Sequence, residues 1–490
     1  MDRRQFLKAA GSAFTAAALH PCARAAQTPE SRPNILWLIA EDLSPDMACY
    51  GNPLVKTPNL DKLAAQGARY TNCFAAAPVC SATRSAFMTA MYQTAIGAHN
   101  HRSHRDDAYQ LPAPVKLITE YFQQAGCFTS NANGLNFDQP GKTDFNFEAR
   151  RPFQGTDWRQ CREGRPFYAQ VNLYGTHRPF RPDPENPIDH NAVTLPPYYP
   201  DHPIAKRDWA NYLEDMQILD RDVAQVLARL EADGLADNTI VFFFGDHGRC
   251  HIRDKQFLYD GGIRVPLLIR WPGHIQPGTV TDDLVSLIDL GPTCLNLIGE
   301  KIPSYMHGQP FMGQGAKTRD CIFAARDRCD ETVDRIRCVR TKRFKYIRNF
   351  YPDRPYMQFN AYKKRQYPVW TLVQVLKKQG NLTPAQAKFA ADTRPPEELY
   401  DIQTDPHELT NLADDKSHAD TLSEMRQLLD TWLQQTNDKG ATPEDEKYIA
   451  TLNSTARQRL NKYLQSEANF DHQPTDEEYL TFWEKKLTLK

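Results

Sequence analysis

The sequence predicts an α/β protein: a large mixed, mostly parallel sheet flanked by helices, followed by a smaller C-terminal α+β part with an antiparallel sheet. Three observations carry this. Apolar runs recur, as within 34–40 and 239–244, and such runs fit strands buried on both faces. Amphipathic helical stretches alternate with them, as in a sheet covered by crossover helices. After about residue 320 the alternation gives way to a hairpin pattern and then to helices.

The elements follow in order. Arg3-Arg4-Gln5-Phe6-Leu7-Lys8, the weakly apolar run 9–19 and the small-x-small triplet Ala23-Arg24-Ala25 resemble a twin-arginine export signal over 1–26. That predicts a periplasmic or secreted protein. The run is too short to span a bilayer, and no later stretch approaches that length. Residues 34–40 form the first strand and end in Glu41-Asp42. Thr57-Pro58-Asn59 opens a helix with a cap and an early proline, and Gly67 closes it. Helices are expected at 81–92, starting directly at Cys80, and at 115–124. A strand at 167–173 leads to His177. Residues 209–230 place Tyr212, Met216, Leu219, Val223, Leu227 and Leu230 on one helical stripe. Strands follow at 239–244, ending in Asp246-His247, and at 265–271. Segments 337–341 and 344–348 read as a hairpin, and Leu422, Met425, Leu429, Trp432 and Leu433 mark a later helix.

The 59 basic and 60 acidic residues leave a net charge of -1. This excludes a protein that coats nucleic acid or another polyanion by bulk charge, and an acidic disordered chain. The eleven cysteines form no C-x-x-C pair and are odd in number. Zinc-ribbon, thioredoxin-like and disulfide-framework readings therefore lack support.

Ligands of an open α/β sheet bind beyond the carboxyl ends of its strands. Two buried strands end there in Glu41-Asp42 and Asp246-His247. If these strands are neighbours, four ligands converge on a divalent metal. The oxygen-rich set favours calcium or magnesium, and His247 keeps manganese or zinc open. Helix capping and surface turns are the plainer alternative. Cys80 begins a predicted helix, where free N–H groups favour an anion and lower a thiol pKa. Its plainer reading is a small core residue.

Together these residues resemble the type I, formylglycine-dependent sulfatases of the alkaline phosphatase superfamily. The resemblance rests on Glu41-Asp42 through Tyr50-Gly51, Thr57 to Ala64, Cys80-Ser81-Ala82-Thr83-Arg84, the strand ending Gly245-Asp246-His247-Gly248, Lys255 to Pro266, and Glu398-Leu399-Tyr400-Asp401 with Asp405-Pro406 and Asn411-Leu412. It covers nearly the whole chain after the export signal. It implies an alkaline-phosphatase-like catalytic domain over 33–330 and a C-terminal subdomain, 331–490, that completes the substrate cleft. It implies that a maturase converts Cys80 to Cα-formylglycine, whose hydrate attacks sulfur. Arg84, Lys142, His177 and Lys255 would complete the catalytic set. Glu41, Asp42, Cys80, Asp246 and His247 would hold Ca2+, with Mg2+ or Mn2+ as alternatives. Four departures stand out. Ala82 replaces the commoner proline, Glu41 the first aspartate and His247 an asparagine. Lys142 follows an apparent insertion at 132–140 and leaves Asp144 where a family histidine would stand.

The basic run His99, His101, Arg102, His104 and Arg105 makes His101 and Arg102 candidate substrate contacts. Nine basic residues against four acids over 326–348 do the same for Arg326 and Arg328. Hairpin surface charge is the competing explanation. The expected activity is removal of sulfate from a sulfated carbohydrate. Alternatives are an N-sulfoglucosamine sulfohydrolase, a phosphodiester or phosphonate monoester hydrolase, and a non-catalytic binder of sulfated glycans if Cys80 stays unmodified.

Overall fold

The central strand β1 (Asn34–Ala40) has every residue buried. Its alternate side chains explain why the run is apolar throughout. Leu36 and Leu38 enter one core on one face of the sheet, while Ile35, Trp37 and Ile39 enter a second core on the other. The computed structural model describes residues 32–488 apart from Glu163. The export signal expected at 1–26 lies outside the described residues.

The main sheet adds β2 (Ala68–Phe74), β3 (Phe128–Asn133), β4 (Asn136–Pro140), β5 (Phe167–Leu173), β6 (Thr239–Gly245), β7 (Arg264–Arg270) and β8 (Thr279–Ser286). Its order is β4-β3-β5-β1-β6-β7-β2-β8. The block β3-β5-β1-β6 is parallel, and only β4 and β7 run against their neighbours. The helices over this part are α1 (Pro58–Ala65), α2 (Cys80–Thr89), α3 (Ile118–Gln124), α4 (Pro203–Ala232), α5 (Asp260–Ile263) and α6 (Leu290–Leu297). The predicted stripe of α4 is real: Met216, Leu219, Val223 and Leu230 pack in the same core as Leu36.

The second sheet is antiparallel, in the order β12-β11-β10-β9, from β9 (Cys321–Arg326), β10 (Ile336–Thr341), β11 (Phe344–Asn349) and β12 (Glu397–Asp401). The predicted hairpin is β10–β11. The later helices are α7 (Ala361–Gln366), α8 (Pro368–Lys378), α9 (Pro384–Phe389), α10 (Ala419–Gln435), α11 (Glu446–Ser466) and α12 (Asp476–Thr488).

Several boundaries differ from the sequence reading. The division expected after residue 330 falls between β9 and β10, which are hydrogen-bonded partners. Helix α2 stops at Thr89 because Ala90 takes a left-handed conformation, φ 55°. The apparent insertion at 132–140 comprises the end of β3, a turn and the edge strand β4, paired as a hairpin. No helix among the described residues is long and apolar enough to cross a membrane.

Candidate active site

The three central parallel strands end at one level: Ala40 stands opposite both Leu173 and Gly245. The residues that follow therefore meet above the sheet, as the switch-point rule requires. Asp42 turns inward through a left-handed backbone, φ 53°, which aspartate tolerates better than most residues. Its N–H donates to Asp246 Oδ1 at 3.1 Å.

Cys80 opens α2 and is 2% exposed. Its Sγ lies 3.2 Å from His247 Nε2, 3.7 Å from Lys255 Nζ and 3.9 Å from Asp42 Oδ1. Asp42, Cys80 and His247 each bring a donor atom within 4.8 Å of the others. The chemistry of this set fits a divalent cation. His247 Nδ1 is 2.9 Å from the Gly248 carbonyl, which can only accept, so Nδ1 carries the hydrogen. Nε2 then faces Asp42, 3.0 Å away, where either the second proton of an imidazolium or a metal ion can lie between them. Burial alone would lower the His247 pKa, yet the Asp246 and Asp42 carboxylates raise it to about 10. A positive charge is therefore favoured at the position a metal would share. Burial also works against the Asp42 carboxylate, but Lys255 and His247 hold it well below the usual range. Asp246 accepts from the backbone of Asp42 and His247 and from Arg84 Nε, 3.1 Å away. Asp246 lies outside the three-donor set, with its Oδ1 3.8 Å from His247 Nε2, and so does Glu41. Its Oε1 faces Lys142 at 2.9 Å and Arg84 at 3.7 Å.

Arg84 reaches back from α2, 1% exposed, with Nη1 2.7 Å from Asn172 Oδ1 on β5. Asn172 Nδ2 donates to Asn131 Oδ1 on β3 at 2.6 Å, and Asn131 Nδ2 donates to the Gly141 carbonyl at 2.9 Å. This relay fixes the turn that delivers Lys142. Gly141 has to be glycine, because a Cβ there would collide with the Ala132 carbonyl and the Asn131 and Asn172 amides. Lys142 thus enters the site although its local motif departs from the family pattern. Burial opposes its charge, but Cys80 and Glu41 raise its pKa.

Lys255 Nζ is 2.7 and 2.9 Å from the two Asp42 oxygens. His177, on the loop after β5, is 2.7 Å through Nδ1 from the Arg178 carbonyl, so its Nε2 is free toward Glu41 and Asp42, 4.0 Å from each. Burial leads and lowers the His177 pKa, against the pull of Asp42. Asp144 pairs with Arg105, with Arg102 at 3.6 Å and with Lys142 at 3.8 Å. Burial would raise its pKa, but Lys142, His101 and the arginines hold it low.

The candidate substrate contacts divide. His101 is 6% exposed, with Nδ1 3.0 Å from Asp330 and a buried Nε2 that has no hydrogen-bond partner. Arg102 is 55% exposed at its side chain, and its N–H donates to Ser81 Oγ at 2.8 Å, one residue from Cys80. Arg326 and Arg328 are buried and engaged elsewhere, with Asp334 at 2.7 Å and Glu444 at 2.6 Å. Arg328 also donates to the His101 carbonyl at 3.1 Å, so it braces the loop that carries His101. Asn131, Asn172, Asp330 and Tyr362 were missed by motif reasoning. Polar residues inside β3 and β5 were the available signal for the two asparagines.

A buried cysteine at a helix start, facing an acidic pocket with two lysines and an arginine, has the chemistry to bind a tetrahedral oxyanion ester beside a cation. The family model described as Sulfatase matches residues 33–300, and one described as N-sulphoglucosamine sulphohydrolase, C-terminal, matches 245–378. The chain is 35% identical over 469 residues to an ulvan-active sulfatase of Formosa agariphila, covering 85% of this chain and 77% of that one. It is 24% identical over 466 residues to the N-sulphoglucosamine sulphohydrolase of Homo sapiens, covering 83% and 90%. The solved structure of BT4656 in complex with its substrate D-glucosamine-2-N,6-O-disulfate matches with a TM-score of 0.59 at 19% identity, covering 83% of this chain and 98% of that chain. The chain belongs to the sulfatase family and is a sulfuric ester hydrolase.

Proposed function

We propose that this sulfatase acts through a formylglycine made from Cys80, with calcium as its metal, and removes O-sulfate from a sulfated polysaccharide or oligosaccharide after twin-arginine export. The observation that carries the reading is the position of Cys80 at the start of α2, within 4 Å of Asp42, His247 and Lys255. As the hydrated aldehyde, residue 80 supplies one hydroxyl for attack on sulfur and a second for expelling sulfate. Asp42, His247, residue 80 and Asp246 would hold a divalent cation, which would supply polarisation of a sulfate oxygen. Glu41 supports this set through Lys142 and Arg84. Arg84 orients residue 80 and offsets sulfate charge. Lys142 and Lys255 bring two ammonium groups to the sulfate oxygens. His177 Nε2 exchanges a proton with the leaving oxygen. His101 and Arg102 meet the sugar. Arg326 and Arg328 act only from behind, as braces.

The substrate class is supported by the match to an ulvan-active sulfatase, which covers 85% of this chain and 77% of that one. N-sulfate is the second reading, favoured by the sulphohydrolase C-terminal match that includes Lys255. Sulfate release from ulvan oligosaccharides and from N-sulfoglucosamine, set against alcohol release from a phosphonate monoester, decides among the three chemistries. In enzyme made with a formylglycine-generating maturase, peptide mass is expected to show an aldehyde in place of the Cys80 thiol. Cys80→Ala is expected to lower turnover by more than about a thousandfold. Chelation is expected to abolish activity, and calcium to restore it. A thiol retained in every preparation from the native host would sink the formylglycine reading.

A further inference from the structure

Lys363, on α7, is 1% exposed and makes no ion pair with a described residue. The rings of Phe257, Trp370 and Tyr367 surround its Nζ at 4.4, 5.2 and 5.7 Å. Burial first, and Arg326 next, press its pKa well below the ordinary lysine value. A neutral amine still has two N–H groups, and the structure offers two acceptors. The Lys255 carbonyl is 3.0 Å from Nζ and the Ile252 carbonyl 3.3 Å. Packing alone does not call for a lysine. Methionine would fill the same aromatic box without a desolvation cost, but would leave two buried carbonyls without this donor.

Those carbonyls bracket the turn that aims Lys255 at Asp42 and at residue 80. The turn has backbone ties of its own, from Lys255 N to the Arg249 carbonyl at 3.0 Å and from Asp254 N to the His251 carbonyl at 3.2 Å. Neither uses the two oxygens that Lys363 holds. The same helix brings Tyr362 to the site. Its ring centroid is 5.4 Å from Lys255 Nζ and 6.5 Å from the His177 ring, and its hydroxyl is buried without a hydrogen-bond partner. Helix α7 is itself fastened. Asn360 Oδ1 accepts from Lys363 N at 2.8 Å, and Glu331 accepts from Ala361 N.

We propose that Lys363 is a positioning residue of the active site: by donating to the Ile252 and Lys255 carbonyls, it holds the turn that aims the Lys255 ammonium at Asp42 and the reacting group on residue 80. This rests on the reading of Lys255 as a sulfate-side residue.

The test is hydrolysis of para-nitrophenyl sulfate by the full-length, maturase-treated enzyme. The variants are Lys363→Met, Lys363→Gln, Lys255→Ala and the double Lys255→Ala/Lys363→Met, each checked by peptide mass at residue 80 and by thermal melting. Lys363→Met is expected to lose roughly ten- to a hundredfold in kcat, with KM little changed. Lys363→Gln regains a neutral group with two N–H donors and is expected to recover most of that loss. In the Lys255→Ala background the methionine substitution is expected to cost less than about twofold more, because the residue it positions is gone. Losses that multiply fully in the double variant overturn the proposal, as does wild-type kcat in Lys363→Met. So does a well-folded Lys363→Gln as poor as the methionine variant. If Lys363→Met does not fold, Lys363→Leu against Lys363→Gln carries the same comparison. Wild-type rates in Lys255→Ala overturn the role of Lys255, and this inference with it.

Discussion

At the scale of single residues the site is a nearly closed charge balance. Glu41, Asp42 and Asp246 are buried together, and Arg84, Lys142 and Lys255 each stand against one of them. Removing one member leaves a buried opposite charge, which costs more than the pair contributes. The uncharged ties can be tested without that complication. Asn172 holds Arg84 through its oxygen and the Lys142 turn through its nitrogen. Asn172→Ala is expected to lower kcat/KM roughly ten- to a hundredfold while costing about 1–3 kcal/mol in unfolding free energy. Steady-state kinetics alongside urea denaturation check both. Asp144 makes the opposite point. It stands where the resemblance led one to expect a histidine, yet Lys142, His101, Arg102 and Arg105 keep its carboxyl ionised well below the usual titration range. An ionised carboxylate has no proton to give at neutral pH, so its part is to hold cations in place. Asp144→Asn is therefore expected to raise KM several-fold and to leave the shape of the kcat/KM pH profile unchanged. A lost limb in that profile would assign Asp144 a proton-transfer role instead.

At the scale of elements, helix α2 must be held at both ends to present residue 80. Its first turn is locked by Ser81, and its last by Ala90, whose carbonyl accepts from His307 N and Gly308 N at 3.0 Å. The Tyr92 N–H donates to His307 Nδ1 at 3.2 Å, which requires that nitrogen to be unprotonated. Burial, then Arg319, lowers the His307 pKa from 6.5 to about 4. The unfolded chain takes up a proton near pH 6.5 that the folded chain refuses until about 4, so stability falls as pH drops through this window. His307→Gln should remove that slope. Urea unfolding at pH 7 and pH 5 is expected to show wild type losing about 2 kcal/mol more than the variant. The sequence revealed elements unevenly for a physical reason. β1, β5 and β6 have both faces covered, so their mainly apolar sequences, broken in β5 only by Gln170 and Asn172, announce them, and they carry the site. β2 reads Ala-Arg-Tyr-Thr-Asn-Cys-Phe and β8 Thr-Val-Thr-Asp-Asp-Leu-Val-Ser, with partly exposed positions and register shifts where they pair. Neither pattern separates a strand from a loop without its partner. Lys142 was legible only as a lysine after Gly141, because what fixes it is a relay from β5 and β3, remote in sequence.

At the scale of the whole molecule, the two sheets share one interior. Ile322, Ala324, Ile336, Cys338, Ile347 and Tyr400 lie in the same apolar cluster as Leu36, Leu38 and Met216. The basic excess over 326–348 is largely spent inside this junction rather than on a substrate face. Arg326 meets Asp334, Arg328 meets Glu444, Arg337 meets Asp327 and Asp438, and Lys345 meets Asp260 and Glu408. Charge counting along the hairpin shows an excess of cations because only Asp327 and Asp334 among these partners lie in the same stretch, whereas Glu444, Asp438, Asp260 and Glu408 come from distant segments. The second sheet also reaches the chemistry, since α7, inserted between β11 and β12, puts Tyr362 and Lys363 against Lys255. Cutting the chain at the boundary expected after residue 330 would strip β9 of its partner β10 and expose the cluster that both sheets fill. Buried apolar surface and ladder hydrogen bonds would be lost together, far beyond the 5–15 kcal/mol that holds a typical domain folded. Residues 33–330 expressed alone are therefore expected to be insoluble, or expanded with exposed apolar surface, whereas 33–490 is expected to unfold in a single cooperative transition by calorimetry. Two well-separated transitions in the longer chain, or a soluble, cooperatively folded 33–330, would show that the sheets are energetically independent despite their common core.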